Sequence, residues 1–232
     1  NEALNLANSA DQVILIVGTN SDWETEGNDR SDFNLPANQN HLIEEVLKAN
    51  PNTLIVLNTG SPVKMPWVDD AKAIIQTWFA GQEFGNALVD IVTGVINPSG
   101  RLPTSFPKNI EDTPAFISYP GKDLQMNYDE KLLVGYRWYD KKKIQTLFSF
   151  GHGLSYTEFK YTDLEIEAQI EKKVSCRFSI QNIGQVPGVE TAQCYIGFKS
   201  DDNSEPKKTL QGFSKIALDP NIKSKVQIDL SP

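Results

Sequence analysis

The chain has 232 residues, of which 39% are hydrophobic and 22% charged, the ordinary composition of a globular protein. Its net charge of −8 argues against a nucleic-acid partner, because such proteins need a basic surface to displace counterions from phosphates. No run of about 18 apolar residues occurs, so the sequence predicts neither a membrane span nor a membrane partner.

The N-terminal residues contain no initiator Met, no basic region and no long apolar core. They are not a signal peptide, and we expect them to lie in the middle of a longer chain.

The first part of the chain alternates strand and helix patterns. The apolar run Val13–Val17 predicts a strand buried on both faces, and a polar loop, residues 19–34, follows it. A helix that could start at Pro36 comes next. Two further strands follow, one at Thr53–Leu57 and one formed by Ala73–Ile75 with Trp78 and Phe79, and then a helix after Gly81. This alternation predicts an α/β domain with a mostly parallel sheet covered by helices. Ligands of such sheets bind at the carboxyl ends of strands, so the loop at 19–34 is a candidate ligand face.

From about Tyr156 the hydrophobic period changes to two. Apolar side chains alternate with polar ones at Val174, Cys176, Phe178 and Ile180, and again at Ala192, Cys194, Ile196 and Phe198. This pattern predicts a small antiparallel β-sandwich. We therefore divide the chain into domains at 1–155 and 156–232, the second too short for a complete seven-stranded sandwich.

Residues that bind metals or cofactors are scarce. His41 and His152 are the only histidines, Cys176 and Cys194 the only cysteines, and no His-Glu-x-x-His or Cys-x-x-Cys spacing is present. The sequence predicts no metal site, no cofactor and two free, buried thiols. No glycosylation sequon occurs either, and these absences favour an intracellular protein, with a secreted protein as the open alternative. No Gly-x-Gly-x-x-Gly or Gly-Lys-Ser/Thr motif indicates a nucleotide.

Residues 128–140 combine an acidic pair, Asp129 and Glu130, with a dense aromatic block around Arg137. Aromatic walls beside a carboxyl group are what a sugar site needs, because the rings stack on the apolar faces of a pyranose. The alternative is a strand end with a solvated carboxylate pair.

Several landmarks, taken in order, resemble the second domain of family 3 glycoside hydrolases. They are Glu26-Gly27-Asn28-Asp29-Arg30, Leu35-Pro36 with Gln39, Gly81-Gln82-Glu83-Phe84-Gly85, Asn97-Pro98-Ser99-Gly100-Arg101-Leu102-Pro103, Glu130 with Val134-Gly135-Tyr136-Arg137-Trp138-Tyr139-Asp140, and Phe150-Gly151-His152-Gly153-Leu154-Ser155-Tyr156-Thr157. The sequences Asn182-Ile183-Gly184 and Leu210-Gln211-Gly212-Phe213 resemble the fibronectin-III-like third domain of that family. Within the family, the chain most resembles the β-glucosidases, a yeast β-glucosidase among them.

The resemblance implies a retaining, exo-acting β-glucosidase that hydrolyses terminal non-reducing β-glucosyl residues of glucosides or short gluco-oligosaccharides. It implies a general acid/base at Glu130 and a nucleophilic Asp on an N-terminal (β/α)8 barrel. A barrel needs about 250 residues alone, so the barrel and its nucleophile lie outside this chain, and we expect the segment alone to be inactive. Many members have Glu-Gly where this chain has Glu130-Lys131. Asp129 is a weaker candidate for the same role.

Other residues have competing interpretations. Glu26, Asp29 and Arg30 could line the substrate cleft, or they could form an acid–Arg cluster that fixes the loop. Arg137 is interpreted as structural and His152 as a turn residue. Of the four tryptophans, one or more could be a sugar platform, although core packing is the better interpretation for most: Trp23, Trp67, Trp78 and Trp138.

Two other functions remain open from the sequence. One is a β-xylosidase or another exo-glycosidase of the same family, which residues of the missing barrel would decide. The other is a non-catalytic carbohydrate-binding or interaction module in which Glu130 is only a surface acid. The oligomeric state, a homo-oligomer included, is also open.

Overall fold

A computed structural model describes residues 2–27, 29–168, 174–197 and 205–230. The chain forms two compact units. The first comprises Asn1–Phe84 with Phe106–Asp112, and the second comprises Gly85–Ser105 with Thr113–Pro232. Asn28 and Phe198, both used in the sequence analysis, lie outside the described residues.

The first unit contains the predicted parallel sheet. Its elements are α1 (Glu2–Ser9), β1 (Val13–Gly18), α2 (Gln39–Ala49), β2 (Thr53–Asn58) and β3 (Ala73–Gln76). The strands are parallel in the order β1-β2-β3, with Val13 opposite Thr53 and Leu54 opposite Ala73. The central strand β2 is the most buried, as the apolar run predicts for a strand covered on both faces.

Two side-chain amides fix this unit at the ends of its helices. The Gln39 side chain, at the start of α2, donates to the Gly18 carbonyl and accepts from the Gly18 amide, at 2.9 and 2.8 Å. Asn50 is buried beyond the end of α2 and donates to the carbonyls of Ala7 and Ala10. These bonds satisfy backbone groups that the ends of elements leave without a partner.

Three details of the first unit differ from the predictions. Strand β3 ends at Gln76, so Trp78 and Phe79 lie outside it; the φ of +56° at Trp78 is incompatible with a strand. Helix α2 begins at Gln39 rather than at Pro36, whose carbonyl accepts from the Gln39 amide at 3.3 Å. Helix α1 was not predicted, because its short sequence shows no long apolar face and only Ala7 is buried.

The second unit contains most of helix α3 (Phe84–Val92), the short helix α4 and five strands. After a 3-10 turn of the first unit at Ile110–Asp112, these elements are α4 (Tyr136–Lys142), β4 (Phe159–Ala168), β5 (Val174–Asn182), β6 (Gly188–Gly197), β7 (Lys208–Leu218) and β8 (Lys223–Leu230). All strand pairs are antiparallel, in one sheet of order β4-β5-β8 and one of β6-β7. The predicted fold class, a parallel sheet with helices followed by an antiparallel β-sandwich, is confirmed.

The sandwich core follows the predicted period of two. Cys176, Phe178 and Ile180 of β5 are buried, and residues of β6, β7 and β8 complete one cluster with them: Ala192, Leu218, Val226, Ile228 and Leu230. The predicted turn at Asn182 has a further role. Its fully buried side chain donates to the carbonyls of Val186 and Leu218 and accepts from the Thr157 hydroxyl.

A buried ion pair holds the turn that follows α3 against the sandwich. The Arg101 guanidinium donates to Glu190 Oε2 at 2.7 Å, and the two side chains are only 11% and 14% exposed. Glu190 Oε1 accepts from the Tyr161 hydroxyl. Burial raises the pKa of Tyr161, and the hydrogen bond to Glu190 raises it further, to a smaller extent. The sequence Asn97–Pro103, met first as a family landmark, therefore attaches to β4 and β6.

The first prediction concerns this pair. Arg101→Ala leaves the Glu190 carboxylate buried without its partner, which should lower the free energy of local unfolding of β6 by about 3–5 kcal/mol. Hydrogen exchange of the β6 amides measures this energy. The control is Arg177→Ala, which removes a half-exposed pair with Glu167 and should change the energy by at most about 1 kcal/mol. Equal effects of the two substitutions would show that the buried pair is not the link.

Candidate functional site

Glu130 lies in a tight turn of the second unit. The Lys131 amide donates to the Tyr128 carbonyl at 3.1 Å, and the Leu133 amide donates to the Glu130 carbonyl at 2.8 Å. The Glu130 side chain is partly buried, and its Oε2 atom is enclosed without a hydrogen-bond partner among the described residues. Asp129 is exposed. The turn thus carries a carboxyl group whose enclosed oxygen meets no donor in the described part of the chain.

The segment that carries Glu130 has one buried side chain. Leu133 is the only buried residue between 116 and 135, all of which the structure describes. Other large apolar side chains of this loop are exposed, namely Phe116, Ile117, Leu124, Tyr128, Leu132 and Val134. An exposed apolar group of this size usually marks an interaction surface.

The aromatic block after Glu130 forms α4 rather than a strand end. Tyr139 is buried, and the Tyr136 ring stacks on Phe150 with centroids 4.7 Å apart and meets Tyr195 edge-on at 5.9 Å. The Tyr136 hydroxyl accepts from the Leu210 amide at 2.7 Å. These tyrosines are therefore used in packing and in fixing α4 to the sandwich.

A second polar cluster follows β1 in the first unit, and its centre is Glu24. Glu24 Oε1 accepts from the Thr19 hydroxyl and the Gly60 amide, and Oε2 accepts from the Ser61 hydroxyl. Arg30 Nη1 lies 4.0 Å from Glu24 Oε1. An acid–Arg cluster does fix this loop, but its acid is Glu24. No local pattern in the sequence marks Glu24, because its partners at Gly60 and Ser61 lie 36 and 37 residues away.

An open cavity of about 330 Å³ lies beside this cluster, lined by Trp23, Glu24, Thr25, Glu26, Asp29, Arg30 and Ser61. Trp23 Nε1 and Arg30 Nη1 are buried donors without an acceptor among the described residues. At the carboxyl ends of β2 and β3, the side-chain oxygens of Asn58 and Gln76 are likewise enclosed without donors. Unsatisfied polar atoms collect at the edge where parallel sheets bind ligands.

The sequence candidates Glu26 and Asp29 line this cavity and are exposed, whereas Arg30 is partly buried. The structure brings these three residues together. Glu130 and Asp129 belong to the other unit.

Residues 1–156 match the family described as "Glycosyl hydrolase family 3 C-terminal domain", and residues 190–232 match "Fibronectin type III-like domain". The chain belongs to glycoside hydrolase family 3.

Its relatives in the family are much longer. The chain is 40% identical over 234 residues to "Probable beta-glucosidase I" of Emericella nidulans, covering 98% of this chain and 28% of that protein. It is 39% identical to "Thermostable beta-glucosidase B" of Acetivibrio thermocellus, covering 99% and 31%. The β-glucosidase of Kluyveromyces marxianus, solved in complex with glucose, aligns with a TM-score of 0.93 at 40% identity, covering 99% and 28%. The chain therefore spans less than a third of these relatives.

Lys131, the residue after Glu130, has an unusual backbone conformation. Its φ is +51°, in the left-handed region that costs a residue with a Cβ atom roughly 1–2 kcal/mol and costs glycine almost nothing. The backbone conformation at Lys131 suits glycine, so a lysine side chain at this position strains the turn.

Three tryptophans lie away from the open cavity, two of them in packing contacts and the third on α4. Trp67 is buried and donates to Asn40, Trp78 packs on Phe106, and Trp138 lies on α4 with the Lys142 ammonium over its ring. Trp23, which lines the open cavity, is the remaining candidate for a sugar platform.

His152 lies in a turn, as predicted. Its amide donates to the Ser149 carbonyl, its carbonyl accepts from the Leu102 amide, and its ring stacks on Phe148. Burial, with a smaller contribution from Arg101, lowers its pKa.

Both cysteines are free, as predicted, but only Cys176 is buried, whereas Cys194 is partly exposed. Burial, and to a smaller extent the neighbouring Cys176, raises the pKa of Cys194. Among residues 2–27, 29–168, 174–197 and 205–230, no cluster of three acids, histidines or cysteines could hold a metal ion. In the same ranges no helix is long and apolar enough to cross a membrane.

The second prediction tests the strained turn. Lys131→Gly should leave the turn intact, because glycine takes the observed φ without strain, whereas Lys131→Val should loosen it by roughly 1–2 kcal/mol, since a β-branched residue tolerates this conformation poorly. Hydrogen exchange of residues 128–134 measures the difference. Lys122→Val is the control, since Lys122 is exposed on the same loop without a positive φ. The same loosening from Lys122→Val, or none from Lys131→Val, would contradict this account.

Proposed function

We propose that this chain supplies the general acid/base, Glu130, of a retaining, exo-acting β-glucosidase that hydrolyses terminal non-reducing β-D-glucosyl residues. The observation that carries the proposal is the Glu130 carboxyl group, which stands on a largely exposed loop and has one enclosed oxygen without a donor among the residues that the structure describes. A carboxyl group held by neither a cation nor a hydrogen-bond donor is available to pass a proton to a substrate. The names of the relatives as β-glucosidases support a glucoside as substrate.

The loop around Glu130 supports a role beside another part of the enzyme. Exposed apolar side chains flank Glu130 on both sides, among them Tyr128, Leu132 and Val134. Such a surface is costly to leave in water and suits burial against a partner. We propose that the partner is the N-terminal (β/α)8 barrel of the same enzyme, which would supply the nucleophilic aspartate and the water-excluding wall around Glu130.

The proposed chemistry has two steps. In the first, the aspartate attacks the anomeric carbon while Glu130 donates its proton to the leaving glycosidic oxygen. In the second, ionised Glu130 removes a proton from a water molecule, which attacks the glycosyl-enzyme and releases glucose with retained configuration. Glu130 therefore needs to be protonated at the start and ionised between the steps, a cycle that a fixed ion pair would prevent.

The open cavity after β1 is proposed to contact the substrate. Its unsatisfied donors, Trp23 Nε1 and Arg30 Nη1, are complementary to hydroxyl oxygens, and the exposed acids Glu26 and Asp29 are complementary to hydroxyl hydrogens. The Trp23 indole also offers a surface on which a pyranose can stack.

The division into an α/β domain, residues 1–155, and a fibronectin-III-like domain, residues 156–232, stays a proposal. Because the proposed nucleophile lies outside both, we propose that this segment alone is inactive. Turnover of a glucoside by the isolated segment would refute this.

The third prediction tests the acid/base role in the full-length enzyme. Glu130→Gln should lower turnover of glucosides with poor leaving groups by about 10²–10⁴-fold, since their departure needs a proton. An activated aryl glucoside, which needs no proton, should still form the glycosyl-enzyme. Added azide should then restore turnover and yield a β-glucosyl azide, because azide attacks without a general base. The product and the rates are measured by NMR and stopped-flow absorbance.

The matched control is Asp129→Asn, which removes the adjacent exposed carboxylate and should leave all these rates nearly unchanged. Azide rescue of the Asp129 variant instead would move the role to Asp129. Unchanged activity of Glu130→Gln would eliminate the acid/base role and favour a binding module. A higher kcat/KM for aryl β-xylosides than for aryl β-glucosides would favour a xylosidase.

A further inference from the structure

A second cavity, of about 300 Å³, lies within the second unit between α4, the segment that follows it and the sandwich strands β6 and β7. None of its lining residues belongs to the loop of Glu130 or to the cluster around Glu24. Its volume lies at the lower end of the range for ligand sites, enough for one small ring.

The aromatic wall of this cavity is fixed before any ligand arrives. Tyr136 is held between Phe150 and Tyr195, and its hydroxyl accepts from the Leu210 amide. The Tyr195 hydroxyl donates to Gln193 Oε1 at 2.7 Å. Such a wall offers ring surface and hydroxyl groups at little entropic cost on binding.

The opposite charges of Lys208 and Asp140 line another wall of the cavity, and their hydrogen-bonding groups are not all used. Lys208 Nζ lies 3.4 Å from Asp140 Oδ2 and 5.3 Å from the centre of the Tyr195 ring. Asp140 Oδ2 is enclosed but has no hydrogen-bond partner among the described residues, although the whole side chain is 34% exposed. The half-exposed Lys208 side chain can move, so a ligand hydroxyl could reach the Asp140 carboxylate while the ammonium bonds to a second hydroxyl.

Hydroxyl groups complete the lining. Thr146 Oγ1 and Ser149 Oγ lie 3.4 Å apart at the cavity wall. Each can donate and accept, as sugar hydroxyls do. A phosphate or another anion would meet the Asp140 carboxylate, and a cation would meet Lys208, so the wall favours an uncharged ligand.

We infer that this cavity binds one small neutral polyol, with a free monosaccharide as the chemical class that fits best. The ring would lie beside Tyr136 and Tyr195, and its hydroxyls would bond to Asp140, Lys208 and the Thr146–Ser149 pair. The inference does not depend on the acid/base role of Glu130.

The fourth prediction tests this site in the full-length enzyme labelled at isoleucine methyl groups. The Ile144 methyl signal, which reports from the cavity wall and is assigned through Ile144→Val, should shift and saturate on titration with glucose. The Ile180 signal, from the sandwich core, should not move. Inorganic phosphate at the same concentrations should shift neither.

Lys208→Met and Asp140→Asn should each raise the glucose concentration at half-saturation at least about tenfold, as expected when a hydrogen bond to a charged group is lost. Lys208 is on the rim and half exposed, so its variant keeps the test valid if Asp140→Asn fails to fold. Asp163→Asn, which removes an exposed partner of Lys223 elsewhere in the unit, is the matched control and should leave the titration unchanged. No shift of Ile144 with glucose, a shift with phosphate instead, or a titration that Lys208→Met leaves unchanged would overturn the inference.

Discussion

The buried pair of Arg101 and Glu190 is the constraint on which the second unit depends. Neither charge is tolerable alone in a site that is about nine-tenths enclosed, so the turn that carries Arg101 has to lie against β6. Polar contacts along the same seam follow from this placement, since Thr191 donates to the Ser99 carbonyl and Gln193 to the Gly151 carbonyl. The sandwich acts as a rigid base for the segments that flank the Glu130 loop.

Much of this architecture was predictable because short stretches of sequence show the hydrophobic pattern of each strand. The strands β1, β2 and β3 are short apolar runs, and β5 and β6 alternate with a period of two, so burial alone identifies them. Helix α4 was not predicted, because its seven residues are too few to show a helical period and begin after Gly135, whose φ is +58°. The role of Glu24 was missed for another reason: a carboxylate that binds backbone 36 residues away leaves no mark in the local sequence.

The sequences that resemble family 3 have two different structural roles. The Asn97–Pro103 and Phe150–Thr157 sequences, which look like a signature, are attachment points to the sandwich, where Asn97 bonds to Ser155 and to the Tyr156 amide. The turn at Glu130 is different, because most of the side chains around it are exposed and its backbone is strained at Lys131. Strain of this kind persists only where the surrounding structure determines it, and it collects at functional sites.

The central claim is that Glu130 is one half of a two-carboxylate site whose other half lies outside this chain. The most direct measurement is a crystal structure of the full-length enzyme with a bound, unreactive glucoside analogue. We expect a separation of about 5–5.5 Å between the Glu130 carboxyl group and that of an aspartate from the barrel, with Glu130 within about 3.2 Å of the glycosidic oxygen. A separation of about 6.5–9.5 Å would instead indicate inversion, and the absence of any carboxylate within roughly 10 Å of Glu130 would contradict the account altogether.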